Sequence, residues 1–133
     1  SDKVITYGLT TAWDTVNPYG STSGSIYQNL VCDKLYDRLA FIEEAGSGVS
    51  PRAAKSWESA DDGKAAIFHL DENAKWHDGQ PITADDVVFT MQVLVDEKQN
   101  VPYSSYGYVN DKAVEAEKVD DLTVKLSLGS SSA

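Results

Sequence analysis

Apolar positions along this chain fall into short runs of period two and two stretches of helical period, with turn-forming clusters between them. Val4 to Leu9 (VITYGL) is β-branched and apolar, which predicts a short buried strand. It leads into Thr10-Thr11-Ala12-Trp13 and the turn-forming Asn17-Pro18-Tyr19-Gly20, a long loop. Ser25 with Gln28 three residues on can form a capping box, and Ile26, Tyr27, Leu30, Val31 and Leu35 then recur at helical spacing. The spacing predicts a helix over 25–37, with Leu39 to Ile42 as a short strand after it.

Glu43 to Ser50 (EEAGSGVS) reads as a flexible connection, and Pro51 to Lys55 (PRAAK) as one helical turn with proline at its start. Two extended runs come next, Ser56 to Ala60 and Lys64 to Leu70, around Asp61-Asp62-Gly63, which punctuates a hairpin. Ala66, Phe68 and Leu70 would share one face of that hairpin, and Ala65, Ile67 and His69 the other. After a loop over 71–82, Thr83 caps a helix running to about Asp96 whose buried stripe is Val87, Val88, Met91, Leu94 and Val95.

Asn100 to Val109 is an aromatic loop with Tyr103, Tyr106 and Tyr108. Ala113 to Leu128 predicts a second hairpin turning at Asp120-Asp121, with Leu122, Val124, Leu126 and Leu128 facing in and Thr123, Lys125 and Ser127 facing out. Gly129 to Ala133 carries no structural signal. Antiparallel hairpins with two main helices indicate an α+β domain, or part of an α/β one.

The length of 133 residues with 41% hydrophobic content suits one domain with a core. Eleven basic against 21 acidic residues leave a net charge of −10, so a basic patch for nucleic acid or anionic membrane is disfavoured by repulsion. The acids are dispersed singly and in pairs, as on a solvated surface. The single cysteine, Cys32, excludes an intrachain disulfide framework. No apolar run is long enough for a membrane-spanning helix. The Ser1-Asp2-Lys3 start lacks a signal-peptide core and reads as the processed end of a mature chain or an expression start.

The stretch from Trp76 to Met91, WHDGQPITADDVVFTM, concentrates the side chains capable of chemistry. A metal site would draw on His69, His77 and Asp78, but the separation of the histidines crosses from a strand into a loop and matches no ligand spacing of helix or hairpin. A calcium loop from Asp71 fails because Lys75 and Trp76 stand where a ligand and a glycine belong. Gly20-Ser21-Thr22-Ser23-Gly24 has the outline of a nucleophile elbow without the strand that must precede one. Gly46-Ser47-Gly48 lacks the third glycine of a dinucleotide loop. A hydrolase or metal-dependent enzyme using His77 with Asp78, or the Asp85/Asp86 pair, is therefore the alternative reading. The structural one is that Thr83 and Asp86 form a capping box, both acids favour the positive end of the helix dipole, Asp78-Gly79 turns the chain and Trp76 anchors the loop.

A longer pattern runs through the same region. Pro51, then Ala54-Lys55-Ser56-Trp57-Glu58, Asp61-Asp62-Gly63, Phe68-His69-Leu70 and Lys75-Trp76-His77-Asp78-Gly79-Gln80-Pro81-Ile82-Thr83-Ala84-Asp85-Asp86-Val87 resemble the family 5 extracellular solute-binding proteins, the dipeptide-, oligopeptide- and nickel-binding receptors of ABC importers. Val4 to Pro18 is similar to that family's first strand and Asn-Pro loop, and Lys118 to Val124 to one of its hairpins. Asp71 departs from the pattern, which usually has a basic residue there.

The resemblance implies part of a two-lobed periplasmic-binding-protein-like α/β fold with an extra subdomain. Residues 1–133 would be a single domain forming an amino-terminal part of the first lobe, with the second lobe absent. The implied function is solute binding, of the peptide class, for an ABC permease in the membrane, with no enzymatic step, no cofactor and no nucleic-acid partner. The fragment is expected to be monomeric. The implied location is extracytoplasmic, in the periplasm or at the cell surface as a lipid-anchored protein. By the same resemblance, Thr11, Ala12 and Trp13 lie at the ligand cleft, and Tyr103, Ser104, Ser105 and Tyr106 line the same pocket.

Overall fold

The computed structural model describes residues 3, 4, 6, 8, 17, 26–42, 48–96 and 107–128. Helix α1 spans Ile26–Leu35, close to the range the apolar spacing predicts, and Lys34 in its last turn complements the helix dipole. The Tyr36 N–H donates to the Cys32 carbonyl at 2.9 Å just beyond the helix. The Ser25 half of its capping box lies outside the described residues, as does most of the strand expected over Val4 to Leu9. Val4, Thr6 and Gly8 are described, none of them lies in a strand, and Val4 is 83% exposed. A β-branched run favours extension, but only a paired edge makes it a strand.

Strands β1 (Ala40–Ile42) and β2 (Val49–Pro51) pair antiparallel, with Phe41 opposite Ser50. The connection expected over 43–50 therefore ends in a strand that composition concealed. The helical turn expected at Pro51 to Lys55 is also corrected: Pro51 closes β2, and strand β3 (Ala54–Ala60) starts after two bent residues. The cause is tertiary. The Ala53 N–H donates to the Arg38 carbonyl at 2.9 Å, the Ala54 N–H to the Leu39 carbonyl at 3.0 Å, and the Ala53 carbonyl accepts from Asp71 N–H at 2.8 Å. Backbone groups engaged by other segments cannot close a helical turn.

Strand β3 forms a hairpin with β4 (Ala65–Leu70), in which Trp57 lies opposite Phe68 and a bulge falls between Ala54 and Ser56. A short 3-10 turn, Asp61–Gly63, joins them. Asp61, Asp62 and Gly63 have φ of 50°, 54° and 84°, the left-handed region that Asp tolerates better than most residues and Gly adopts freely. Helix α2 (Ala84–Val95) comes next, then β5 (Tyr108–Val109), β6 (Lys112–Asp120) and β7 (Thr123–Leu128).

Strand β7 returns beside β4, so the two hairpins fuse into one five-stranded antiparallel sheet of order β3-β4-β7-β6-β5. Phe68 faces Val124 across the join, and Val124 faces Lys118. Helix α2 packs on the β6–β7 side. Among the described residues the buried apolar set is Ala53, Ala54, Ala65, Leu70, Ala84, Leu94 and Val124, with Leu70 and Val124 its largest fully enclosed members. Each of those two contributes about 1.5–3 kcal/mol by burial. The alternation expected on β7 holds at Val124 and fails at its end, where Leu128 is 36% exposed.

Candidate functional site

The cluster from Trp76 to Asp86 is built from the backbone outward. Trp76 N–H donates to the Gln80 carbonyl at 2.8 Å, and Gly79 N–H to the Trp76 carbonyl at 2.9 Å, which closes a tight loop. Gly79, with φ of 87°, occupies the position that demands glycine. The Asp78 carboxylate accepts from Gln80 N–H at 2.9 Å, an Asx turn. Upstream, Asp71 Oδ1 accepts from the Asn73 N–H at 2.8 Å, and below the loop Ile82 N–H reaches the Ala74 carbonyl at 3.0 Å.

At the start of α2, Thr83 and Asp86 make the expected capping box. The Asp86 carboxylate accepts from Thr83 N–H at 2.8 Å and from the Thr83 hydroxyl at 3.2 Å. The same Oδ2 accepts from Trp76 Nε1 at 3.3 Å, so one carboxylate ties the loop to the helix. Asp85 instead pairs with Lys118 Nζ at 2.7 Å, while Lys118 also holds Asp121 at 2.8 Å. The Asp121 carbonyl accepts from Ala84 N–H at 2.9 Å, which fixes the β6–β7 turn against the helix. The hydrogen bond to Asp121, and then that to Asp85, raise the Lys118 ammonium above its ordinary range.

The residues of the enzymatic alternative are thus spoken for. Asp78, Asp85 and Asp86 each serve a turn, an ion pair or a cap, and His77 stands exposed on the loop. His69 sits on β4, 3.6 Å from Glu58 on the neighbouring strand. Among the described residues no group of three or more His, Cys, Asp or Glu is placed to hold a metal ion. No helix among them is long and apolar enough to cross a membrane.

The Asp120 carboxyl lies below its ordinary range, chiefly because it accepts from Leu122 N–H, at 2.9 Å, and secondarily through the Thr123 hydroxyl. A depressed carboxyl contributes stability that is fully present above its unfolded value near 3.8 and is lost as pH falls through the folded one. The difference in melting temperature between the natural chain and an Asp120→Asn variant should therefore shrink as pH is lowered from 6 through the range below about 3.8, as read by thermal scans. A difference independent of pH would show that the charge is irrelevant to the turn.

The seven cleft residues, Thr11, Ala12, Trp13, Tyr103, Ser104, Ser105 and Tyr106, lie outside the described residues. The chain immediately after Tyr106 packs onto the end of α2. Gly107 is buried against the end of α2, and the Tyr108 hydroxyl donates to the Val95 carbonyl at 3.3 Å. Asn110 and Asp111, with φ of 50° and 62°, form the two-residue turn that folds β5 onto β6. The sequence alone suggests a loop throughout this segment; Asn-Asp before an extended run was the signal for the turn.

Residues 48–133 match the family model described as bacterial extracellular solute-binding proteins, family 5 middle. The dipeptide-binding protein of Escherichia coli is 33% identical over 144 aligned positions, covering 95% of this chain and 26% of that protein. Among solved structures, the ABC transporter substrate-binding protein CtaP of Listeria monocytogenes is 37% identical with a TM-score of 0.75, over 92% of this chain and 24% of that one. Haemophilus influenzae OppA, solved in complex with the peptide RPPGFSPFR, is 30% identical with a TM-score of 0.69, over 86% of this chain and 24% of its own. The chain spans between 12% and 26% of the length of the curated relatives it matches. With a family model matched over residues 48–133 and the fold shared with these solved structures, the chain belongs to the bacterial extracellular solute-binding proteins, family 5.

Proposed function

We propose that this chain is part of the ligand-binding receptor of an ABC import system. It supplies one wall of a cleft that captures a small peptide or similar solute outside the cytoplasmic membrane and passes it to the permease. The observation that carries this reading is the family match over residues 48–133 on a fold shared with CtaP and OppA. The role is binding without a reaction, in a periplasm or at a cell surface on a lipid anchor, by a monomer. Residues 1–133 act as one domain, an amino-terminal part of the first lobe, in keeping with their quarter share of the E. coli relative.

In this reading Thr11, Ala12 and Trp13 present backbone and an aromatic side chain to the ligand. Tyr103, Ser104, Ser105 and Tyr106 add rigid rings and hydroxyl groups, which suit a ligand with both apolar and hydrogen-bonding parts. Binding between two lobes draws on contacts from both, and closure is stabilised only when both are present.

Calorimetric titration of the complete gene product with dialanine, trialanine and RPPGFSPFR tests the reading. A dissociation constant of about a micromolar or tighter is expected for at least one of them, and none tighter than about a millimolar for residues 1–133 alone. Absence of binding to all three by the complete protein, with a non-peptide solute released on its denaturation and identified by mass spectrometry, would overturn the peptide assignment.

A further inference from the structure

We propose that the base of the β1–β2 ribbon, where Arg38 and Arg52 flank Phe41, is a docking surface for an acidic segment on the outer face of the permease. The proposal rests on the reading of the chain as part of an import receptor. Of the 11 basic residues in the chain two are arginines, and both converge on one ring. The guanidinium carbon of Arg38 lies 5.9 Å from the centre of the Phe41 ring and that of Arg52 lies 5.3 Å from it. Contact of this kind holds the planar group against the ring and leaves N–H groups for an outside acceptor.

The backbone beneath both arginines is fixed. Ala53 N–H donates to the Arg38 carbonyl at 2.9 Å, Arg52 N–H to the Ala54 carbonyl at 3.1 Å, and Arg38 N–H to the Asp37 carboxylate at 2.9 Å. The Arg38 guanidinium also donates to Asp33 at 2.6 Å, which orients it and neutralises its charge. Arg52 differs. It is exposed, and among the described residues no carboxylate pairs with it, in a chain that has 21 acidic residues. A guanidinium held in place with its fork free suits bidentate capture of a carboxylate, and arginine beside an aromatic ring is a composition enriched where protein partners meet. The net charge of −10 disfavours an acidic partner over the rest of the chain, so this pair is the point of complementarity. The permease fits as that partner because membrane proteins concentrate Lys and Arg in their cytoplasmic loops, which leaves carboxylates on the outer face uncompensated.

The complete gene product carries the test, titrated by surface plasmon resonance against its permease in phosphatidylcholine nanodiscs, with solute affinity measured separately by calorimetry. Arg52→Glu is expected to weaken permease binding about tenfold and to leave solute affinity unchanged. Arg52→Lys, which keeps the charge and loses the fork, should weaken it severalfold. Arg52→Gln serves if Arg52→Glu does not fold. Lys64→Glu makes the same change of charge at an exposed position beside the β3–β4 turn and should leave permease binding within about twofold. Equal losses in Lys64→Glu and Arg52→Glu would mean that net charge alone matters, and natural permease binding in Arg52→Glu would mean that the fork is unused. Either result overturns the proposal. So does binding to permease-free discs containing phosphatidylglycerol that Arg52→Glu abolishes, which would assign the arginine to lipid headgroups. Failure of the unsubstituted protein to bind the permease, with solute or without it, overturns the import reading and the proposal with it, and is distinguishable because it needs no variant.

Discussion

Replacing Leu70 with alanine should lower the free energy of unfolding by about 2–5 kcal/mol. Leu70 has no exposed surface, ends β4 opposite Ala54, and donates its N–H to the Leu122 carbonyl at 2.7 Å. It therefore stands where β3, β4 and the turn between β6 and β7 converge. These elements are held by backbone hydrogen bonds and cannot collapse far into the space the leucine leaves. Urea unfolding followed by circular dichroism should show a lower midpoint at an unchanged slope. Leu128→Ala, at a position 36% exposed, should cost less than half as much. Equal costs at the two positions would mean that the core is not centred as described.

Asp86→Ala should cost about 1–2 kcal/mol, through loss of the capping box and of a charge at the positive helix end. It also strips Trp76 Nε1 of its acceptor, so the Trp76 indole N–H resonance should move upfield in the variant. Asp85→Ala, one residue away, removes an ion pair between largely exposed groups and should change stability less while leaving that resonance in place. The reverse order of effects would show that the helix start is held by Lys118 and not by its cap.

The parts of this fold that were legible in the sequence are those whose cause is local. Thr83 and Asp86 cap α2 because three residues of spacing is what the reciprocal hydrogen bonds require. Asp61-Asp62-Gly63 turns one hairpin because its residues accept left-handed backbone, and the alternation from Thr123 onward marked the other. The enzymatic look of Trp76 to Asp86 dissolved partly for the same reason, since Asp78 serves a turn and Asp86 a cap close by, whereas the cation beside Asp85 is Lys118, 33 residues away on β6.

Other features depended on partners distant in sequence. Pro51 to Lys55 has helix-compatible residues, yet the carbonyls of Arg38 and Leu39 take the N–H groups of Ala53 and Ala54 and hold the chain extended. That β7 pairs with β4, fusing two hairpins into one sheet, cannot be deduced from either hairpin, since both have edges free to pair. Nor does a lone glycine among tyrosines announce that Val95 and Leu94 leave it no room for a methyl group.

The sequence by itself determined the family, through an ordered motif that runs from Pro51 to Val87, and determined the capped helix and both hairpin turns, because these obey spacing rules that act over a few residues. Only the tertiary structure decided how the strands join, where Leu70 and Val124 are enclosed and why residue 107 is glycine, because each of those depends on which distant surfaces come within a few ångströms of one another.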